Sequence, residues 1–201
     1  MITAPVFAEL DWLIHGFGLR DSTLPAEIRL AKQIHSSIVL DAGDCGKEGD
    51  ALTSREPGVL VGVRTADCVP ILVADPVTRA VAAVHAGWRG TAENIVAAAL
   101  GKLGERFGVR PENVIAAIGP SIGPCCYEVG PEVAVRFGAS GTGKAHVDLP
   151  HWNEVQLREA GVRTVWKSGE CTFCAAQRFF SFRREREAAG RMVSFIGQRQ
   201  K

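Results

Sequence analysis

Cys68 and His85 are the two side chains whose spacing first suggests chemistry. Residues 69–74 (VPILVA) and 80–84 (AVAAV) are short apolar runs bounded by turn signals, which predicts two buried strands. Between them, Asp75-Pro76-Val77-Thr78 carries Asp first and Pro second, the pattern of a type I turn, so residues 69–84 read as a β-hairpin. A turn centred between Pro76 and Val77 pairs Cys68 with His85 at the open end, with β-carbons roughly 4.5–5.5 Å apart. A thiolate and an imidazole at that separation can share one metal ion. Without a metal they can act as nucleophile and base. Pro70 leaves open a bulge, which would shift the register by one.

Several neighbours extend this pair into a possible site. His85 is followed by Ala86-Gly87-Trp88-Arg89-Gly90, and the apolar stripe over residues 91–107 predicts an amphipathic helix with Thr91 as N-cap. Arg89 then stands in a glycine-flanked loop before a helix N-terminus, where free N–H groups and a guanidinium would cradle phosphate. Asp67, beside Cys68, reads either as an orienting or proton-accepting carboxylate or as a turn cap. Arg64 and Asp50 are candidate lining residues, with ordinary ion pairing as the other reading. Cys125, in the loop GPSIGPCC, could bring its thiol or backbone to the pocket or serve a tight turn. Cys171-x-x-Cys174 is half of a four-cysteine zinc spacing with no second CxxC, and reads as structural. The basic run around Arg178, Arg184 and Arg186 reads as a solvated helix face, with Ser181 and Arg183 as pocket candidates.

Such residues need a scaffold. Further strands are expected over 58–64, 111–118, 162–166 and 192–196, and helices over 131–137 and 151–160; residues 138–143 (GASGTG) read as a mobile loop. A hairpin combined with helix-separated strands implies an α/β (mixed α+β) fold, a mixed sheet with helices on its faces. At 201 residues, 46% hydrophobic and 22% charged, the chain reads as one globular domain, 1–201. Twenty-three Lys and Arg against 22 Asp and Glu give a net charge of +1, which supplies no general attraction to nucleic acid or anionic membrane. Neither a long apolar span nor a basic segment followed by an apolar block is present, so a cytoplasmic protein with reduced thiols is expected. Five histidines allow one small metal site and exclude a multicopper oxidase.

The segments TADCVPILVAD (65–75), VHAGWRGTAENIV (84–96), IGPSIGPCCYEVG (118–130) and CTFCAAQRFFSFRRE (171–185) resemble the laccase-domain family, also called multicopper polyphenol oxidase-like. The resemblance runs from about Gln33 to Gly197. It implies a single zinc held by His35 (in QIHSS), Cys68 and His85, three ligands that leave an open coordination position typical of a catalytic site. It also implies a three-layer α/β/α fold with mixed sheets, shared with a bacterial toxin that deamidates glutamine using Cys and His. The implied activities are phosphorolysis of adenosine, inosine, guanosine and methylthioadenosine, deamination of adenosine, and a contribution to peptidoglycan precursor fidelity. The implied partners are a purine nucleoside and phosphate, in a monomer or homodimer. The stretch from His15-Gly16-Phe17 to Gln33 is shorter than the family pattern, lacking its Gly-Gly and Ser-Leu-Asn segment. A metal-free cysteine hydrolase or amidase, with Cys68 attacking and His85 as base on a peptidoglycan precursor, is the alternative. A binding module with a purely structural zinc is the non-enzymatic one.

Overall fold

A computed structural model describes residues 1–200. In chain order the elements are β1 (Leu13–Phe17), β2 (Arg29–Leu30), β3 (Val39–Asp41), β4 (Ala51–Ser54), β5 (Leu60–Thr65), β6 (Val69–Ala74), β7 (Val81–Ala86), α1 (Trp88–Ala92), α2 (Ile95–Phe107), β8 (Ile115–Ile118), β9 (Glu128–Val129), α3 (Pro131–Ala134), β10 (Ala145–His146), α4 (Leu149–Glu159), β11 (Thr164–Lys167), α5 (Phe182–Glu185) and β12 (Met192–Gln198). A six-stranded sheet runs β11-β8-β6-β7-β4-β3, a four-stranded sheet runs β1-β12-β5-β2, and β9 and β10 form a small ribbon. Both larger sheets are mixed: β3 with β4, β8 with β11 and β2 with β5 are parallel, and the remaining pairs are antiparallel.

Strand alternation sorts the core into two layers. Val69, Ile71 and Val73 of β6 and Ala82 and Val84 of β7 face a helical layer that includes Ile95, Val96, Ala99 and Leu103 of α2 and Leu157 of α4. Leu72, Ala74, Val81 and Ala83 face the other way, onto Val61 and Val63 of β5, Ile196 of β12 and Phe17 of β1. The mixed α/β class is therefore as expected, while this part of the molecule layers as helix, sheet, sheet rather than helix, sheet, helix. Among the described residues no helix is long and apolar enough to cross a membrane.

Two local expectations change. The hairpin turn holds two more residues on its far side than a turn centred at Pro76–Val77 allows: Arg79 adopts a left-handed conformation (φ 61°), and its N–H donates to the Asp75 carbonyl at 2.8 Å. The Asp75 carboxylate accepts from Val77 N (2.9 Å) and Thr78 Oγ1 (2.8 Å), closing the loop from inside. Pro70 consequently pairs with His85, and Val69 with Ala86. The shift arises in the turn, not at a bulge on Pro70. Likewise Thr91 is not an N-cap. It lies within α1, buried, where its hydroxyl accepts from Asn153 Nδ2 at 3.0 Å. The longer helix starts at Asn94, whose side chain caps Ala97 N, and ends at left-handed Gly108.

Candidate functional site

His35, Cys68 and His85 meet at one point, their ligating nitrogen and sulfur atoms all within 4.8 Å of one another. In the observed register Cys68 stands opposite Gly87 rather than His85, one step beyond the end of β6. Cys68 and His85 remain on the same face of the hairpin, so their side chains converge diagonally across the missing side chain of Gly87. A β-carbon on Gly87 would lie 3.1 Å from His35 Cδ2 and 3.2 Å from Cys68 Sγ. The glycine is needed for this space, since its backbone angles (φ −73°, ψ 175°) suit any residue. The His35 and His85 rings sit edge to face with centroids 4.9 Å apart.

One carboxylate positions both histidines. Asp50, fully buried, accepts from His85 Nδ1 at 2.8 Å, which turns the other ring nitrogen toward Cys68. The same carboxylate accepts from the backbone N–H groups of His35 (3.0 Å) and Ser36 (2.6 Å) and from Ser36 Oγ (2.7 Å). Those bonds hold His35 in its left-handed conformation (φ 62°). Gln33 anchors the start of this loop: its amide accepts from Arg64 N and donates to Arg64 O, both at 2.8 Å, continuing the β2–β5 ladder with a side chain.

The electrostatics follow from this geometry. Burial opposes ionisation of Cys68, but the charge of His85 and hydrogen bonds from both histidines outweigh it and bring the thiol down to about 6. Burial likewise opposes protonation of His85, but the Cys68 thiolate and Asp50 hold it up to about 9. For Asp50, burial is overcome by the His85 and Ser36 hydrogen bonds, which keep its carboxyl well below the usual range. Two imidazole nitrogens and a readily formed thiolate are the donor set of a zinc-type ion with one position left for another ligand, and the Gly87 gap leaves room for it.

The three residues form part of the lining of a cavity of about 630 Å³. Arg64 and Arg183, both expected from the sequence, also line it. Asp67 lines it too, but its carboxylate is occupied: it accepts from Thr172 Oγ1 (2.6 Å), Ser181 Oγ (3.1 Å) and Arg183 N (2.6 Å), tying the later chain to the β5–β6 turn rather than orienting an imidazole. Other expected residues lie elsewhere. Asp50 sits behind the histidines and does not face the cavity. Arg89 is exposed on α1 with its guanidinium 4.6 Å from the Trp88 ring centre, outside the lining. Cys125 lies among other cysteines, away from the lining. Sequence reasoning missed Tyr127, Phe182, Arg186 and Arg191 on the cavity wall. The signal for them was weak: Tyr127 follows the CysCys pair, and Phe182 is an exposed aromatic within FFSFRR. Burial and the Cys68 charge push the Tyr127 hydroxyl up to about 12, so it remains a hydrogen-bond donor.

Residues 18–199 match the family described as multi-copper polyphenol oxidoreductase laccase. A purine nucleoside phosphorylase of Deinococcus radiodurans is 41% identical over 181 residues, covering 82% of this chain and 68% of the relative. The adenosine deaminase RL5 of an unknown prokaryotic organism is 36% identical, covering 90% of this chain and 76% of the relative. Among solved structures, YlmD from Geobacillus stearothermophilus superposes with a TM-score of 0.87 at 29% identity, over 98% of this chain and 94% of that one.

Proposed function

We propose that this chain, which belongs to the multi-copper polyphenol oxidoreductase laccase family, is a zinc-dependent purine nucleoside phosphorylase that also deaminates adenosine. Relatives named purine nucleoside phosphorylase and adenosine deaminase at 35–41% identity support a nucleoside-processing enzyme. The observation that carries the reading is the convergence of His35, Cys68 and His85 within a cavity that also presents cationic and aromatic groups. His35, Cys68 and His85 would hold a zinc ion, whose contribution would be Lewis-acid chemistry.

The chain's own residues divide the remaining work. Asp50 fixes the His85 ring and the His35 loop, so that both nitrogens are preset before substrate arrives. Lys32, Arg64, Arg183, Arg186 and Arg191 surround the cavity with positive charge, which suits phosphate as the second substrate. Phe182 and Tyr127 offer faces for a purine, and the Tyr127 hydroxyl a donor to it. Arg183 lies 5.3 Å from the Tyr127 ring centre, so the anion and base subsites adjoin, as cleavage of a base–sugar bond by phosphate requires.

Product analysis by mass spectrometry tests this reading. Purified protein incubated with adenosine and phosphate is expected to release adenine with a ribose phosphate, and without phosphate to form inosine. His35→Ala and His85→Ala, still folded, are expected to do neither. Unchanged product formation in those variants would sink the reading. The sequence Cys68, His85, Asp50 favours a second one, a metal-independent cysteine hydrolase, because a thiolate, an imidazolium and a carboxylate stand in series. Full activity in the presence of a chelator would select it, and complete loss with recovery on zinc would dismiss it.

A further inference from the structure

A second group of ligating side chains lies outside the cavity. Cys125 and Cys126 follow β8, and Cys171 and Cys174 follow β11. Because β8 and β11 are parallel neighbours, both loops leave the same end of the sheet, and a backbone bridge between Ser121 and Cys171 holds them together. The four sulfur atoms all lie within 4.8 Å of one another. Cys174 Sγ is 3.8 Å from Cys125 Sγ and 3.4 Å from Cys126 Sγ. A tetrahedral zinc with Zn–S bonds of about 2.3 Å has sulfur–sulfur edges of about 3.8 Å. A disulfide brings two sulfurs to about 2.05 Å and leaves the other two without a role.

We propose that Cys125, Cys126, Cys171 and Cys174 bind a second zinc ion as a closed, four-thiolate structural site. Binding replaces four S–H bonds with four Zn–S bonds and releases four protons to solvent, with no change of oxidation state. The resulting double negative charge is moderated by water, since Cys125 and Cys174 are exposed, and by the Gly123 N–H, which donates to Cys171 Sγ at 3.2 Å. The site clamps one wall of the cavity. Thr172, between two of its ligands, donates to Asp67 at 2.6 Å, and Tyr127 directly follows a third ligand, Cys126.

Elemental analysis of reduced protein, purified without added metal, is expected to give two zinc ions per chain. The double substitution Cys126→Ser with Cys174→Ser should leave one, and His35→Ala with His85→Ala should also leave one. Each pair therefore reports its own site, and failure of this proposal is separable from failure of the phosphorylase reading. Should the cysteine variant not fold, wild-type protein decides. Alkylation mapped by mass spectrometry should find the four thiols shielded until a chelator is added, and cobalt-loaded protein should show the intense visible bands of a four-thiolate site. Zinc content unchanged by the cysteine substitutions, a disulfide within the group in freshly reduced protein, or free alkylation of all four thiols before chelation would overturn the proposal.

Discussion

Asp50 is the residue on which both histidines depend. Its truncation, Asp50→Ala, leaves the buried His85 ring, the N–H groups of His35 and Ser36 and the Ser36 hydroxyl without their acceptor. The expected cost is about 3–5 kcal/mol of stability, measurable by denaturant titration, with metal affinity lower by about 10–100-fold. The acid response has a defined sign. Because the folded carboxyl is held below its unfolded value of about 3.9, its stabilisation is intact above that pH and is lost as pH falls toward the lower folded value. Asp50→Asn is therefore expected to flatten the acid limb of a stability–pH curve. Gly87→Ala tests the space between the ligands. Its backbone accepts alanine, so the fold should survive while the methyl presses on Cys68 and His35. Metal affinity is expected to fall by about tenfold or more, and an unaltered affinity would remove the steric argument.

At the scale of elements, the caps and turns decide where the ligand-bearing ends of strands fall. Asn94 combines a left-handed backbone (φ 56°) with a side-chain cap of α2. Asn94→Ala should cost about 1–2 kcal/mol and Asn94→Gly only a few tenths, read from thermal or chemical unfolding. Sequence reasoning located β6 to the residue and came within two residues for most other strands of the six-stranded sheet that it identified, because those strands are continuous apolar runs. It overlooked β1 to β4 and the short β9 and β10; LIHGF and ALTS, for example, mix polar and small residues that only tertiary packing buries. The hairpin register was misjudged because nothing in Asp75-Pro76-Val77-Thr78 announces that Arg79 will turn left-handed. Cys68 and His85 meet nonetheless, because a shift of two in pairing preserves the face on which each side chain lies. His35 was legible only through family likeness: no strand or helix pattern carries it, and its place is set by hydrogen bonds to a carboxylate 15 residues later. Cys125 was read apart from the Cys171–Cys174 pair for a similar reason. Their proximity is created by the β8–β11 pairing, which spacing along the chain does not encode.

For the whole molecule, stability rests on the interface between the two sheets. Leu72 is fully buried there among Val63, Ala83 and Ile196. Leu72→Ala should cost about 2–5 kcal/mol, and the zinc binding proposed for the cavity should persist, because His35, Cys68 and His85 lie at the end of the sheet and not in its centre. A loss of zinc without loss of stability would contradict that separation. The order of strands carries one more consequence. β12 lies between β1 and β5, so these two strands from the first third of the chain are joined only through a strand near the far end of the described residues. During synthesis the early segments leave the ribosome with unpaired backbone and must wait for residue 198 before they can zip together. A nascent chain stalled before that point would present two open β edges, each a template for pairing with a neighbouring chain.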